Sequence, residues 1–335
     1  MTRAERRKAF WDRNRKSGGY LLRKRTKSVL FRIGRAILLF GLCFLIIQPL
    51  IQKLCVSFMT EMDLYDTTIV SVPRHFSTQA YTITWRLYKG IPTFVRSLCL
   101  SAGVALLQML SCTLVGYGFA RYKFPLKKLL FGCVILTLIV PPTTIITPLF
   151  LYFGDFDIFG IIGKITGSGK GLNLQGKALP YLMMCATCAG YKAGLYIYMM
   201  RQHFRNEPKE LEEAAYVDGC GRLRTFFQIL LPGARPMMVS CFLFAFVWQW
   251  TDQIYSRIFF PTNTWDLVST KLFNIVNLFD GENKARFGMG YVTQTAYANQ
   301  IQATGSLVAL IPLLVIYVVA QKSFVESISQ SGIKG

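Results

Sequence analysis

Residues 36–58 read AILLFGLCFLIIQPLIQKLCVSF and contain one charged side chain, Lys53. A run of about 20 apolar residues, each rising ~1.5 Å in a helix, spans the hydrocarbon core of a bilayer. Just before it, residues 1–35 hold thirteen Lys and Arg side chains but only two acids, Glu5 and Asp12. A secretory signal has a short basic region and a small-residue cleavage site. This stretch has neither, so it reads as a retained first transmembrane helix. The positive-inside bias and anionic membrane lipid hold the basic arm on the cytoplasmic side. That reading also explains the arm without nucleic acid as a partner.

Composition agrees. Of 335 residues, 52% are hydrophobic and only 16% charged, while the net charge is +21. A soluble domain averages roughly 25% charged residues, and a chain this apolar is not disordered. Five further apolar stretches follow, Phe94–Phe119, Leu129–Phe153, Ala178–Met200, Met237–Phe260 and Gly305–Ala320. Alternate threading of six spans puts 25 basic residues on the side of the termini and nine in the opposite loops 59–93, 154–177 and 261–304. The expectation is therefore an all-α, multi-pass membrane protein with six transmembrane helices, its N- and C-termini cytoplasmic. Its parts would be a basic arm at 1–35, a transmembrane domain at 36–320 and a cytoplasmic tail at 321–335.

Several chemistries are excluded. None of the nine cysteines falls in an outside loop, so no disulfide framework is available. Cys185 and Cys188 form a C-x-x-C on an apolar stretch without a second pair, which reads as small helix-packing residues rather than a metal site. Gly171–Lys177 matches seven positions of a phosphate-binding loop, but Ala178 stands where such a loop needs Ser or Thr for magnesium. The two histidines, His75 and His203, have no catalytic partner at useful spacing. The chain therefore reads as a non-enzyme without a cofactor or metal site of its own.

The connection 201–236 is RQHFRNEPKELEEAAYVDGCGRLRTFFQILLPGARP. Asn206 and Pro208 read as a helix start, and Glu207, Glu210, Glu212 and Glu213 stand where a helix N-terminus favours negative charge. Gly219 then permits a positive φ or a close backbone approach. A second amphipathic helix runs through Phe226, Phe227, Ile229 and Leu230 until Pro232 stops it. The expectation is a helix–turn–helix on the cytoplasmic face, either a contact for another protein or a loop packing on its own bundle.

Here the residues resemble a known pattern. Glu213-Ala214-Ala215, three residues, Gly219, nine residues, then Ile229-x-Leu231-Pro232 is similar to the EAA signature of ABC importer permeases. Pro73-x-x-Phe76 to Tyr81, Ser97, Gly116–Phe124, Pro141–Pro148 and the ending Phe324–Gly335 resemble the maltose-type carbohydrate permeases. Ala80 and Arg96 depart from that pattern, as does Trp250-Thr251-Asp252-Gln253 in the fifth span. The resemblance implies one permease of a heterodimer with a second, homologous permease. It also implies a separate ATPase dimer that binds ATP and magnesium, and an extracellular or periplasmic sugar-binding protein. Coupling to the ATPase would fall to Glu210, Glu213, Ala214, Ala215, Asp218, Gly219, Ile229, Leu231 and Pro232. A second ATPase contact would fall to Ser331, Lys334 and Gly335. An importer of a non-sugar solute and a membrane scaffold are the alternative readings.

Sugars are held by aromatic faces and by side chains offering several hydrogen bonds. Trp248, Gln249, Trp250, Asp252, Gln253 and Tyr255 cluster in the fifth span as substrate-path candidates, and Lys192 in the fourth is another. The alternative is an interfacial aromatic belt, with Asp252 reaching toward Arg257 or water. A helical rise puts Asp252 roughly 22 Å above the inner face and Lys192 roughly 21 Å below the outer one, too far apart to pair.

Overall fold

The computed structural model describes residues 11, 14–66, 68–69, 72–158, 160–167, 170–260 and 265–332. Residues 1–10 of the basic arm, and Lys334 and Gly335 of the expected tail contact, lie outside them. The chain divides into two units, Met1–Ser77 and Thr78–Gly335.

In the first unit, one helix runs over Tyr20–Ser57. It crosses the expected 35/36 boundary without a break, so the basic residues from Arg23 onward share a helix with the first span. Leu30, Phe31, Phe40 and Ile46 are all exposed on it. An apolar helix bare along its length suits lipid or another membrane helix rather than water. Beyond it, Thr60 caps the short helix Glu61–Tyr65 by accepting from the Asp63 N–H. The buried Asp63 carboxylate gathers the Arg74 N–H (2.9 Å), the His75 N–H (2.8 Å) and His75 Nδ1 (2.8 Å). The His75 backbone bond leads in holding Asp63 below the ordinary carboxylate value.

The second unit is a helical bundle organised around Ile91–Arg121. That helix packs on Ala193–Asn206 and Arg235–Thr251, and Thr295–Gly332 closes the far side of Arg235–Thr251. Gly116 allows the first contact, since a Cβ there would lie 2.6 Å from Met200 Cβ and 3.0 Å from the Arg201 nitrogen. One buried cluster joins Tyr117, Tyr196, Phe204, Phe226, Phe246 and Trp250. A second joins Val104, Phe153, Tyr181, Tyr255 and Phe259.

Among the described residues three helices are long and apolar enough to cross a membrane, Leu22–Ser57, Ile91–Arg121 and Thr295–Lys322. The other expected spans are broken. The third is Lys127–Ile139 followed by Pro142–Tyr152, and the axis turns by 103° between them. Pro141 and Pro142 lack the N–H groups that would continue the ladder, and each restrains the residue before it. The fourth is Leu179–Ala186 and Ala193–Asn206, separated by a link in which Cys188 and Lys192 take left-handed φ values of 60° and 62°. Cys188 therefore sits in a helix break, not on the continuous helix expected for the C-x-x-C. The fifth is Arg235–Thr251, then Asp252 and Gln253 outside helix, then Ile254–Phe259. The last helix, Thr295–Gly332, passes through the expected 320/321 boundary and includes the backbone of Ser331.

Candidate functional site

The 201–236 connection holds two short helices. Glu210–Val217 has Glu210, Glu212 and Glu213 in its first turn. Asn206 ends the preceding helix rather than starting this one, and Lys209 occupies the cap position without a side-chain bond. The C-terminal turn is as the glycine requires: Gly219 has φ +79°, and nothing lies within 4 Å of where a Cβ would stand. Its N–H donates to the Tyr216 carbonyl (3.1 Å), and the Cys220 N–H donates to that of Ala215 (2.9 Å). These paired bonds are a Schellman motif, which satisfies carbonyls the helix end leaves bare.

The helix is pinned from one side. Arg121, the last residue of Ile91–Arg121, places Nε 2.7 Å from Glu212 Oε1, with the two side chains 7% and 13% exposed. The alignment is that of an ion pair rather than a linear hydrogen bond. Arg121 Nη2 also donates to the Glu207 carbonyl at 2.9 Å. Alongside, Tyr117 meets Phe204 and Phe226 at 5.4 and 4.5 Å between ring centroids. Ala215 is buried, while Glu210, Leu211, Glu213, Ala214, Tyr216, Val217, Asp218 and Gly219 are exposed, Val217 by 87%. The following turn adds exposed Leu223 and Phe227.

Pro232 does not stop the second helix as expected. Helical backbone continues as Arg222–Thr225, a wider π turn at Phe226–Leu230, Leu231–Gly233 and Arg235–Thr251. The proline leaves the Gln228 carbonyl without its helical donor, and the wide turn surrounding Gln228 accommodates this. The axis bends by 71° after Gly233. Ile229, Leu231 and Pro232 are half-buried beneath the loop.

A second region forms where the three breaks meet. A cavity of about 340 Å³ is lined by Val140, Pro141 and Pro142 of the third-span break, Cys188–Lys192 of the fourth and Tyr255 just past the fifth. Irregular backbone is tolerated at membrane depth where it borders a cavity or packs within protein. Lys192 Nζ lies 5.3 Å from the ring centroids of both Tyr191 and Trp248. Tyr191 in turn packs on Trp248 at 5.6 Å and on Tyr255 at 5.5 Å.

The fifth-span candidates divide. Trp248 is half-exposed beside Lys192, and Tyr255 borders the cavity. Gln249 is buried, accepting from the Tyr181 hydroxyl at 2.6 Å and donating to Ser256 Oγ at 3.4 Å. Trp250 is also buried, its indole N–H on the Ala309 carbonyl (3.0 Å), although its edge lines a neighbouring cavity of about 220 Å³ with Gln253. Asp252 is buried and accepts the Ile254, Tyr255 and Ser256 N–H groups at 3.2, 3.3 and 2.6 Å. It caps the short helix after the break instead of reaching toward Arg257. The rise of a continuous helix does not apply to Lys192, because the fourth span breaks beside it.

Sequence reasoning missed Arg121 as Glu212's partner and Tyr191 as a cavity wall. The adjacent prolines 141 and 142 were a visible signal of the third-span break. The Gly171–Lys177 stretch is a loop: Gly171 donates its N–H to Asp155 (2.7 Å), and Leu172 pairs with Phe156. Among the described residues no His, Cys, Asp or Glu cluster could hold a metal ion.

Membrane-length apolar helices, a polar loop presenting an exposed short helix and a cavity framed by helix breaks define a membrane-embedded transport subunit. Residues 113–325 match the family described as binding-protein-dependent transport system inner membrane component, and the chain belongs to that family. It is accordingly a membrane permease component of an ABC transport system and not an enzyme, serving with an ATPase and a substrate-binding protein. It is similar to the diacetylchitobiose uptake system permease protein NgcG of Streptomyces coelicolor, 26% identical over 286 residues, covering 85% of this chain and 83% of that one. It is similar also to the galactooligosaccharides transport system permease protein GanQ of Bacillus subtilis, 25% identical over 305 residues, covering 89% and 94%. The fold matches a crystal structure of a bacterial ABC transporter involved in the import of the acidic polysaccharide alginate. That match has a TM-score of 0.67 at 16% identity, covering 88% of this chain and 96% of the other.

Proposed function

We propose that this chain is one of two homologous permeases in an importer of carbohydrate, an oligosaccharide, and that Glu210–Gly219 is where it receives force from the ATPase. The observation that carries the coupling role is the helix Glu210–Val217, anchored by Glu212 to Arg121 while Leu211, Tyr216 and Val217 stand exposed. A loop that only packed on its own bundle would turn those side chains inward. Glu213 offers a charge contact, Ala214 allows close approach, and Asp218 and Gly219 set the turn. Ile229, Leu231 and Pro232 support the loop from below. Ser331, Lys334 and Gly335 supply a second ATPase contact from the tail. ATP and magnesium are held by the partner ATPase.

Displacement of the Glu210–Val217 helix passes through Arg121 and the Tyr117–Phe204–Phe226 cluster into Ile91–Arg121, around which the bundle is organised. Such a device has two rigid-body states, biased by ATP on one side and by the loaded binding protein on the other. In this reading the six spans place both termini in the cytoplasm, and the broken-span cavity belongs to the substrate path. The carbohydrate assignment draws support from the diacetylchitobiose and galactooligosaccharide permeases and from the aromatic cavity wall.

The test is substitution of exposed residues alone. Tyr216→Ser with Val217→Asp should leave membrane insertion intact and abolish binding-protein-stimulated ATP hydrolysis. Unchanged stimulation would refute the coupling role.

A further inference from the structure

Resting on the reading that the broken-span cavity is part of the substrate path, we infer that it selects an oligosaccharide carrying an acidic group, a carboxylate or a sulfate or phosphate ester, through Lys192. No carboxylate among the described residues forms an ion pair with Lys192. The neighbouring acid of the fifth span, Asp252, is occupied on both oxygens by backbone N–H groups. What holds the ammonium is the faces of Tyr191 and Trp248, an attraction that orients a cation without discharging it.

Backbone geometry adds to this. Lys192 takes a left-handed φ of 62°, a conformation disfavoured for a residue with a β-carbon and concentrated at functional sites. It also stands at the start of the 14-residue helix Ala193–Asn206, and Ala193 and Gly194 line the same cavity. The partial positive charge of a helix N-terminus therefore adds to the ammonium rather than opposing it. Tyr191 and Tyr255 give sugar rings apolar faces beside the charge. An ordinary neutral sugar would use those faces and leave the cation unanswered; an acidic sugar uses both.

The experiment takes the complete importer with its partner subunits, nucleotide-free, in phosphatidylcholine nanodiscs. Binding of three trisaccharides is measured: neutral maltotriose, trigalacturonate for the carboxylate, and a maltotriose sulfate ester for the sulfate. At least one acidic probe should bind about tenfold tighter than maltotriose, the scale expected of a charge-assisted contact. Lys192→Met should erase that preference, and Lys192→Arg should keep it. In the unmodified complex, amine acylation at Lys192, read by mass spectrometry, should slow with the preferred acidic probe and not with maltotriose. Equal binding of neutral and acidic probes, a preference surviving Lys192→Met, or unprotected Lys192 would overturn the inference. Tyr191→Ala separates the two levels. If it weakens maltotriose binding, the path reading stands even where the charge preference fails. If no trisaccharide binds, or binding ignores both residues, the path reading fails as well.

Discussion

The coupling loop and the broken-span cavity are built in opposite ways. Glu210–Gly219 is one contiguous stretch whose chemistry is local: glutamates in the first turn, a glycine at φ +79°, paired bonds back to Tyr216 and Ala215. The cavity draws one wall from each of three spans, at breaks near residues 141, 190 and 253. The first region is a projection held by Arg121 through Glu212 and the Glu207 carbonyl, and the second is a shared boundary with no ion pair across it among the described residues. A perturbation should therefore have concentrated effects in the loop and distributed ones at the cavity.

The largest effect should come from the pin. Arg121→Ala leaves the nearly buried Glu212 carboxylate unpaired, which costs about 3 kcal/mol locally. Binding-protein-stimulated ATP hydrolysis should fall by more than tenfold, and Arg121→Ala with Glu212→Gln should recover part of it. No loss in the single variant would show that the loop is held some other way. Next is Gly219→Leu, which forces a bulky side chain onto left-handed backbone at about 1–2 kcal/mol. Uptake should drop severalfold while membrane abundance stays constant. Wild-type uptake would detach the turn from coupling.

At the cavity the expected losses are smaller. Trp248→Ala should lower uptake per purified complex severalfold, since an aromatic contact is worth on the order of 1 kcal/mol beyond area burial. Trp250→Ala should instead lower the amount of assembled complex, because its indole N–H and ring are in the core. The reverse pattern would exchange their roles.

The smallest effect concerns pH. Burial pushes the Asp266 carboxyl up, but hydrogen bonds from Lys89 and Lys271 outweigh it and hold the group below its ordinary 3.8. A depressed folded value stabilises at pH above the unfolded one and is lost as pH falls through the folded one. Hydrogen exchange in Val268–Phe273 should thus rise only below about pH 4, and Lys271→Met, which lets the folded value return toward 3.8, should make that rise smaller. An exchange profile flat across this range would show that Asp266 does not hold the segment.

This contrast also explains what could be read from sequence. The loop's turn and its acidic first turn were legible because they depend on neighbours in the chain. Arg121's pairing with Glu212 was not, since nothing local links residues so distant in sequence. Pro232 misled because a π turn absorbs its missing N–H and helical backbone runs through it to Gly233, where the axis bends by 71°. Apolar composition located the third, fourth and fifth spans but was blind to their breaks: hydropathy counts side chains, and a left-handed φ at Lys192 is a backbone event. Asp252 looked like a path residue from its charge, whereas its carboxylate caps Ile254–Phe259.

The central claim, that Glu210–Gly219 is the ATPase contact, is tested most directly by co-purification. The permease carrying Tyr216→Ser and Val217→Asp, both on exposed positions, is isolated from membranes alongside the unmodified chain and the retained ATPase is quantified. The expected result is normal insertion and loss of most of the ATPase from the variant. Retention of ATPase at the unmodified stoichiometry would contradict the claim.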